Sequence, residues 1–250
     1  MLRSWAKAAV GKHSDLVRPL WRLAYPWIYA FQKNGRYPGE EYVGGRAEAF
    51  TTIFRENRWR SEESVSGPGS NRAATNMLQR VLDQVFARTA ARSILDAPCG
   101  DLNWMRHITL PPETKYIGGD IVPDLVEELR ARFEAEDRRF VMLDIVSEPL
   151  PAADLWLCRH VLMHLSNEEV RQVLENFARS EIRYLLVDNH SFIRNNADIR
   201  SGGWRHLNLR RAPFNLPKPL ARYPNSNPPS APDDLYLWEQ GQIRAALNRS

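Results

Sequence analysis

The fold is predicted most directly by one stretch of the sequence, Ser93-Ile-Leu-Asp-Ala-Pro-Cys-Gly-Asp-Leu-Asn-Trp-Met105. It begins as a short apolar run, typical of a buried strand, and passes directly into a tight turn at Gly100. Glycine in such a turn lets a ligand approach the backbone closely. Asp96 and Asp101 place carboxylates where the strand ends, and in open α/β sheets ligands bind at that edge.

Further β-prone runs follow this stretch, and helical patterns lie between several of them. The predicted strands are Ser93–Ala97, Lys115–Asp120, Phe140–Asp144, Asp154–Cys158, Tyr184–Asp188 and Leu235–Glu239. The predicted helices are Ala47–Asn57, Asn71–Ala90 with Asn71 as N-cap, Pro123–Glu134 and Asn167–Ser180, whereas the proline-rich stretch Pro213–Pro232 predicts irregular structure. Strands that alternate with helices predict an α/β fold with a parallel sheet and helices on both faces.

Charge is unevenly distributed along the 250 residues. Met1–Gly39 contains seven lysines and arginines but only Asp15 as an acidic residue, although the net charge of the whole chain is only +4. The remaining chain is therefore slightly acidic, which disfavours nucleic acid as a partner. The basic segment also carries aromatic residues such as Trp5 and Trp21, so it predicts peripheral contact with an anionic membrane, packing on the domain, or a transit peptide.

Neither export nor a membrane span is expected. The longest apolar segment, Leu23–Phe31, is interrupted by Pro26 and is shorter than the roughly 18 residues that a spanning helix needs. Cys99 and Cys158 do not make a disulfide framework, and we expect both to be small buried residues. A cytoplasmic protein follows, with peripheral attachment to the inner face of the membrane as an option; the sequence leaves the oligomeric state open.

Acidic residues also end the second and third predicted strands. Asp120 closes Tyr116-Ile-Gly-Gly-Asp120, and a carboxylate there can accept both hydroxyls of a ribose. Asp144 closes Val141-Met-Leu-Asp144. The fourth strand leads into Arg159-His-Val-Leu-Met-His164.

Together these segments resemble the class I S-adenosylmethionine-dependent methyltransferases and, more narrowly, a little-characterised bacterial family of such enzymes. The resemblance runs from about Phe50 to Leu220. The segments that carry it are Trp59–Ser70, Leu95–Asp101, Gly202–Arg205 and Pro213–Pro217. It implies a Rossmann-like, mostly parallel seven-stranded sheet over residues 71–250. Residues 1–70 are predicted to be a basic N-terminal helical extension, in which Ser64–Ser70 is either a lid over the cofactor or a turn that connects helices.

The resemblance also implies the cofactor, S-adenosyl-L-methionine, and the residues that contact it. The turn from Asp96 to Asp101 would cradle the methionine part, Asp120 would hold the ribose, and Asp144 with Ile145 would flank the adenine. The expected cofactor-binding residues are Asp96, Ala97, Pro98, Cys99, Gly100, Asp101, Trp104, Asp120, Ile121, Asp144, Ile145, Cys158 and Arg159. The chain departs from the glycine-rich pattern at Ala97 and Leu102, and from the narrower family at His160, where an acidic residue is usual.

Histidines are the candidate catalytic residues, because the unperturbed pKa of imidazole suits a general base near neutral pH. His160 follows the fourth strand and His190 follows the fifth. The pair Asp188-Asn189 resembles the magnesium-binding pair of some O-methyltransferases. Arg159-His160 replaces its acidic partner, so we expect no metal.

The acceptor is predicted only as a class. The main domain carries little positive charge, and it contains the aromatic residues Trp59, Trp104 and Trp204. Both features favour a hydroxyl group of a small molecule or saccharide as the methyl acceptor. No Asn/Asp-Pro-Pro-Tyr motif follows the fourth strand, which argues against amino groups of DNA bases. The candidate acceptor-binding residues are Trp59, Ser66, Gly67, Trp204 and Arg205.

Two other functions stay open at this point. The acidic residue after the second strand also suits a nicotinamide-dependent oxidoreductase, although the turn lacks Gly-x-Gly-x-x-Gly. A regulatory protein that binds S-adenosylmethionine without catalysis is the other alternative, because the loop glycines are replaced.

Overall fold

Seven strands form one sheet in the computed structural model, which describes residues 14–31, 36–37, 44–226 and 230–249. The strands are β2 (Ser93–Asp96), β3 (Lys115–Asp120), β4 (Arg138–Met142), β5 (Leu155–Cys158), β6 (Tyr184–Asn189), β8 (Ala221–Pro224) and β9 (Asp234–Glu239). Their order is β4-β3-β2-β5-β6-β9-β8, and β9 runs antiparallel to both of its neighbours whereas β2 to β6 are mutually parallel. The prediction of a mostly parallel seven-stranded sheet is confirmed.

Helices cover both faces of this sheet. The helices are α1 (Ser14–Phe31), α2 (Arg46–Arg55), α3 (Arg72–Thr75), α4 (Leu78–Thr89), α5 (Pro123–Phe133), α6 (Asn167–Arg179) and α7 (Gln240–Leu247), of which α4 and α5 pack on one face and α6 and α7 on the other. A separate two-stranded sheet pairs β1 (Arg36–Tyr37) with β7 (Trp204–Arg205). None of the helices in the described ranges is long and apolar enough to cross a bilayer.

Alternation along the strands assigns each side chain to one of two cores. Leu95 and Trp156 belong to the core that contains the buried faces of α6 and α7. Ile94 and Leu155, one position earlier on the same strands, belong to the core beneath α4 and α5. Successive strand residues point to opposite faces, so β5, which lies between β2 and β6, is buried along its whole length.

Local sequence signals explain where several elements begin. Helix α6 starts after Ser166, whose hydroxyl accepts from the backbone N–H of Glu169 while the Glu169 side chain accepts from the Ser166 N–H. This reciprocal capping box satisfies two backbone donors at the helix start. Helix α5 begins with Pro123, whose missing N–H costs nothing in the first turn.

Two predictions of local structure were wrong. The single helix expected over Asn71–Ala90 is broken between α3 and α4, and the side chain of Asn71 makes no capping bond because its oxygen accepts from the hydroxyl of Ser61. The stretch Pro213–Pro232 is not wholly irregular, since it contains β8. This strand ends at Pro224 on the edge of the sheet, where a residue without an N–H is tolerated.

Part of the N-terminal segment lies outside the described residues. This includes Met1–His13 and therefore Trp5. The proposed division at residue 70 stays a prediction.

Candidate active site

A cleft opens at the carboxyl ends of the parallel strands. It holds about 980 Å³ of space between atoms, including the solvent at its open mouth. In the sheet register, Asp96 at the end of β2 lies beside Gly118 of β3 and Leu157 of β5. The three neighbouring strands therefore deliver Asp96, Asp120 and the segment after Cys158 to one edge.

The Asp120 carboxylate is held in place by backbone donors. The N–H of Gly100 donates to Oδ2 and the N–H of Val122 donates to Oδ1, each at 3.1 Å. Burial raises the pKa of Asp120 to about 6, against the lowering effect of these hydrogen bonds. The carboxylate faces the cleft with further lone pairs, so it is suited to accept from ligand hydroxyls.

The pKa of Asp96 is shifted further from its usual value than that of Asp120. The Tyr116 hydroxyl donates to its Oδ2 at 2.7 Å, but burial dominates and raises the pKa of Asp96 to about 7. The Asp96 side chain lines the cleft although it is almost fully buried. Two carboxyl groups that are costly to ionise thus face the same space, and a cationic ligand would favour their charged forms.

We expect the contribution of Asp96 to the stability of the unliganded chain to fall as pH rises between about 4 and 7. Below its unfolded-state pKa of 3.8, Asp96 is protonated in both states, and its contribution is lost as pH rises through the folded-state pKa of about 7. The slope attributable to Asp96 approaches about 1.4 kcal/mol per pH unit. In urea unfolding across this range, the free energy of unfolding of Asp96→Asn, which keeps an acceptor for Tyr116, should therefore rise relative to that of the wild type, and a constant difference between the two would contradict the assignment.

The Ser64–Ser70 loop closes over the turn at Gly100. Asp101 accepts from the hydroxyls of Ser64 (3.0 Å) and Ser66 (3.2 Å) and from the backbone N–H of Val65 (3.0 Å). In return the Ser66 hydroxyl accepts from the N–H of Asp101 at 2.9 Å. A Cβ at Gly100, where φ is +56°, would lie 2.3 Å from the Ser66 oxygen, so glycine is needed for the loop to seat.

At the far end of the cleft, Asp144 is already paired. Arg46, the first residue of α2, donates from Nε to both carboxylate oxygens at 2.9 Å and from Nη2 to Oδ2 at 2.5 Å. Ser147 Oγ and the N–H of Val146 also donate to Asp144. Partial burial opposes ionisation, but these bonds prevail and lower the pKa of Asp144. These hydrogen bonds hold helix α2 beside the cleft, and the helix residues Phe50 and Phe54 line the cleft.

His160 is positioned by contacts to three other segments. It adopts the left-handed backbone conformation (φ +56°), and its N–H donates to Asp188 Oδ1 at 2.6 Å. Its ring Nε2 lies 2.8 Å from Asp233 Oδ2. A Cβ added at Gly69 would lie 2.6 Å from the ring Nδ1, so the Ser64–Ser70 loop passes directly beside this nitrogen.

Arg159 connects several segments around His160. Its Nε donates to Asn225 Oδ1 and its Nη2 donates to the Gly69 carbonyl, both at 2.8 Å, and the guanidinium carbon lies 5.4 Å from the centroid of the Trp104 ring. Burial lowers the pKa of Arg159, against the attraction of Asp233. This buried cation thereby joins the loop, the cleft floor and the segment after β8.

Trp59 and His164 form a side wall. Their ring centroids are 5.2 Å apart, and both residues line the cleft. Burial lowers the pKa of His164 to about 4, and its Nδ1 lies 2.7 Å from the Gly203 carbonyl. His164 is therefore a neutral wall residue at physiological pH.

Most of the predicted residues come together at this cleft. The predicted residues that line it are Asp96, Pro98, Cys99, Gly100, Trp104, Asp120, Ile121, Asp144, Ile145, Arg159, His160, Trp59 and Ser66. The individual roles of these residues stay predictions. Cys99 and Cys158 are free and buried, as expected, and burial raises the pKa of both thiols.

Seven predicted site residues do not line the cleft. They are Ala97, Asp101, Cys158, Gly67, His190, Trp204 and Arg205. Asp101 is used by the Ser64–Ser70 loop, and Gly67 (φ +91°) packs against Trp59 from behind. Arg205 is 1% exposed and donates to the Leu162 carbonyl and to Asn167 Oδ1, so it braces the fold instead of meeting an acceptor.

Three residues that matter here carried no clear signal in the sequence. Arg46 lies on a helix outside the motif region, Asn225 lies within the stretch Pro213–Pro232 that was predicted to be irregular, and Asp233 directly follows it. Antiparallel pairing of β9 with β6 is what brings Asp233 beside His160. Two adjacent acids before a predicted strand, Asp233-Asp234, were the only available hint.

Comparisons with known proteins agree with this geometry. Residues 94–180 match a family model described as a methyltransferase domain. No curated protein matches the sequence. Among solved structures, the 1,6-didemethyltoxoflavin-N1-methyltransferase of Burkholderia thailandensis, with bound 1,6-didemethyltoxoflavin and S-adenosylhomocysteine, is 16% identical with a TM-score of 0.54, and the match covers 84% of this chain and 97% of that one.

Two further structures are more distant. The N-methyltransferase NodS of Bradyrhizobium japonicum is 12% identical with a TM-score of 0.47, covering 66% of this chain and 94% of that one. Human N-acetylserotonin methyltransferase, in complex with SAM, is 16% identical with a TM-score of 0.41; the match covers 63% of this chain but only 47% of the human one. At these identities the structural likeness concerns the fold. The family match over residues 94–180, the strand order and the acids at the strand ends lead to one conclusion: the chain carries an S-adenosylmethionine-dependent methyltransferase domain with a Rossmann-like fold.

Proposed function

We propose that this chain methylates a hydroxyl group of a small-molecule or saccharide acceptor, with His160 as the general base. S-adenosylmethionine supplies a methyl group that is already activated on a sulfonium. The protein therefore has to align the acceptor, exclude water and remove the hydroxyl proton.

The cleft fits such a donor by its charge. A sulfonium is cationic, and the two carboxyl groups of Asp96 and Asp120 have raised pKa values because their burial outweighs the hydrogen bonds that they accept. Asp120 is the residue that would hold the ribose, and the apolar side chains of Ile121, Leu143 and Ile145 offer a slot for the adenine.

The observation that carries the base assignment is the contact between His160 and buried Asp233. Asn225 Oδ1 accepts from Arg159, so its amide nitrogen points toward Asp233, to whose Oδ2 it donates at 2.5 Å. The Asn225 amide nitrogen also lies 3.0 Å from His160 Nε2, but the Asp233 carboxylate can only accept, so we assign the Nε2–H of His160 as its donor, which leaves Nδ1 unprotonated. This is the tautomer that a base needs, and the carboxylate stabilises the imidazolium once the proton has moved.

The walls of the cleft favour a neutral, flat-faced acceptor. Trp59 and Trp104 supply aromatic surface of the kind that packs on sugar rings or heterocycles. The two arginines that line the cleft are both engaged, Arg46 by Asp144 and Arg159 by Asn225 and Gly69. Among the described lining residues, this leaves little positive charge for a polyanionic acceptor.

Labelled methyl transfer into a fractionated cell extract tests this proposal. The purified chain is incubated with methyl-labelled S-adenosylmethionine and separate fractions of metabolites, saccharides, lipid-linked saccharides, RNA and protein. We expect label in a metabolite or saccharide fraction, with the new methyl on oxygen by mass spectrometry and NMR. Label that disappears only with nuclease or protease overturns the acceptor class, and a methyl on nitrogen overturns the hydroxyl assignment.

We also propose a cytoplasmic protein that touches the membrane through α1. This helix docks through the Trp21 indole, which donates to the Ser230 carbonyl, and through buried Tyr25, while Leu20 and Leu23 are 69% and 72% exposed. Replacing both leucines with serine should reduce sedimentation with anionic phosphatidylserine vesicles several-fold, with Leu220→Ser as an exposed control. Equal sedimentation of the variant and the wild type would contradict membrane contact.

A further inference from the structure

Three buried side chains converge behind the active site. Asp188 lies on β6 and His190 follows its end, while Asp233 directly precedes β9. Because Asn189 pairs with Asp234 in the antiparallel register, Asp233 comes to lie opposite His190. One ligand atom from each of the three side chains lies within 4.8 Å of the other two.

In each of the two carboxylates of this cluster, one oxygen accepts hydrogen bonds and the other does not. Asp188 Oδ1 accepts from the His160 N–H, and Asp233 Oδ2 accepts from His160 and Asn225. In the described structure, Asp188 Oδ2 and Asp233 Oδ1 are buried and have no hydrogen-bond partner. An orphaned carboxylate oxygen away from water is costly, and two in one cluster require a shared positive partner.

His190 is held by the backbone of Leu207. Its Nδ1 lies 3.3 Å from both the carbonyl oxygen and the N–H of Leu207, and these contacts orient the ring and leave Nε2 as the nitrogen available to the cluster. Asn189 does not take part, since its Oδ1 accepts from the N–H of Leu209 at 2.7 Å. The arrangement therefore differs from the Asp-Asn pair that the sequence suggested.

We propose that Asp188, His190 and Asp233 bind one divalent first-row transition metal ion. Ligand atoms about 2.0–2.2 Å from an ion are at most roughly 4.4 Å apart, so side-chain shifts of a few tenths of an ångström complete the site. One imidazole with two carboxylates suits Mn²⁺, Fe²⁺ or Zn²⁺ better than Mg²⁺, which prefers oxygen ligands and retains water. The ion joins the end of β6 to the start of β9 and fixes the two carboxylates that hold His160.

Metal binding to the full chain tests this inference without any enzymatic assay. Chelator-treated protein is titrated with Mn²⁺, followed by electron paramagnetic resonance, and its melting temperature is measured with Mn²⁺ and with Zn²⁺. We expect one Mn²⁺ per chain and a higher melting temperature with either ion. Asp188→Asn and His190→Gln should weaken binding by about 100-fold or more, a loss at least as large as the 10–100-fold seen for outer-shell changes.

The variants and the control make the outcome decisive. Asparagine at 188 keeps an acceptor for the His160 N–H, and Asp198→Asn removes an exposed carboxylate elsewhere and should bind Mn²⁺ as the wild type does. Far-UV circular dichroism verifies that each variant is folded. No binding of either ion to folded wild-type protein overturns the inference, as does undiminished binding in both ligand variants.

Discussion

Replacing His160 with asparagine should lower kcat for the hydroxyl acceptor by about 10²–10⁴-fold, the usual contribution of a general base. Asparagine tolerates the left-handed backbone at this position and keeps the N–H that donates to Asp188. The change therefore removes the imidazole and its contact with Asp233 but keeps the backbone conformation and the hydrogen bond to Asp188. Initial rates with saturating acceptor measure the effect.

Two controls separate loss of the base from loss of structure. The Kd for S-adenosylhomocysteine should remain near the wild-type value, and added imidazole should restore part of the rate. His107→Asn changes an exposed histidine and should leave kcat unaltered. A kcat for His160→Asn within about twofold of the wild type would remove His160 from the proposed mechanism.

Replacing Asp120 with asparagine should weaken binding of S-adenosylhomocysteine by about 100-fold, since a hydrogen bond to a charged group contributes about 1.5–3 kcal/mol. In this variant the side-chain amide also places an NH₂ donor at one of the two oxygen positions to which the N–H groups of Gly100 and Val122 donate in the wild type. Isothermal titration calorimetry measures the Kd, and Asp124→Asn, an exposed acid on α5, is the matched control.

Binding to wild-type protein should also depend on pH. The pKa of Asp120 in the unliganded chain is about 6, so below this pH the carboxyl must first lose its proton and affinity should fall. In Asp120→Asn this part of the pH dependence should disappear. Unchanged affinity in the variant at neutral pH would show that the ribose is held elsewhere.

The parts of the fold predicted well are those that local patterns determine. The apolar run ending at Asp96 and the run ending at Asp120 are flanked by turns, and the structure places both at the predicted edge. Parallel strands deliver their carboxyl ends to one side, so a motif at each strand end was enough to predict the core of the cleft.

Long-range contacts account for what sequence patterns missed. Asp144 was predicted at the adenine, but no local signal indicated that Arg46, 98 residues away, would pair with it. Asp233 reaches His160 only through the antiparallel return of β9. Trp204 and Arg205 form a Trp-Arg motif that suggested a binding wall, yet β7 buries the arginine under the backbone of Leu162.

The Arg159 guanidinium has a consequence for the turnover cycle. It is 6% exposed, and one of its two hydrogen-bond acceptors is the Gly69 carbonyl of the loop that covers the cleft. If that loop moves away so that the demethylated cofactor can be exchanged for S-adenosylmethionine, the buried Arg159 guanidinium loses the Gly69 carbonyl as a hydrogen-bond acceptor. We therefore expect this loop to favour its closed position, and departure of the demethylated nucleoside, instead of methyl transfer, to limit kcat.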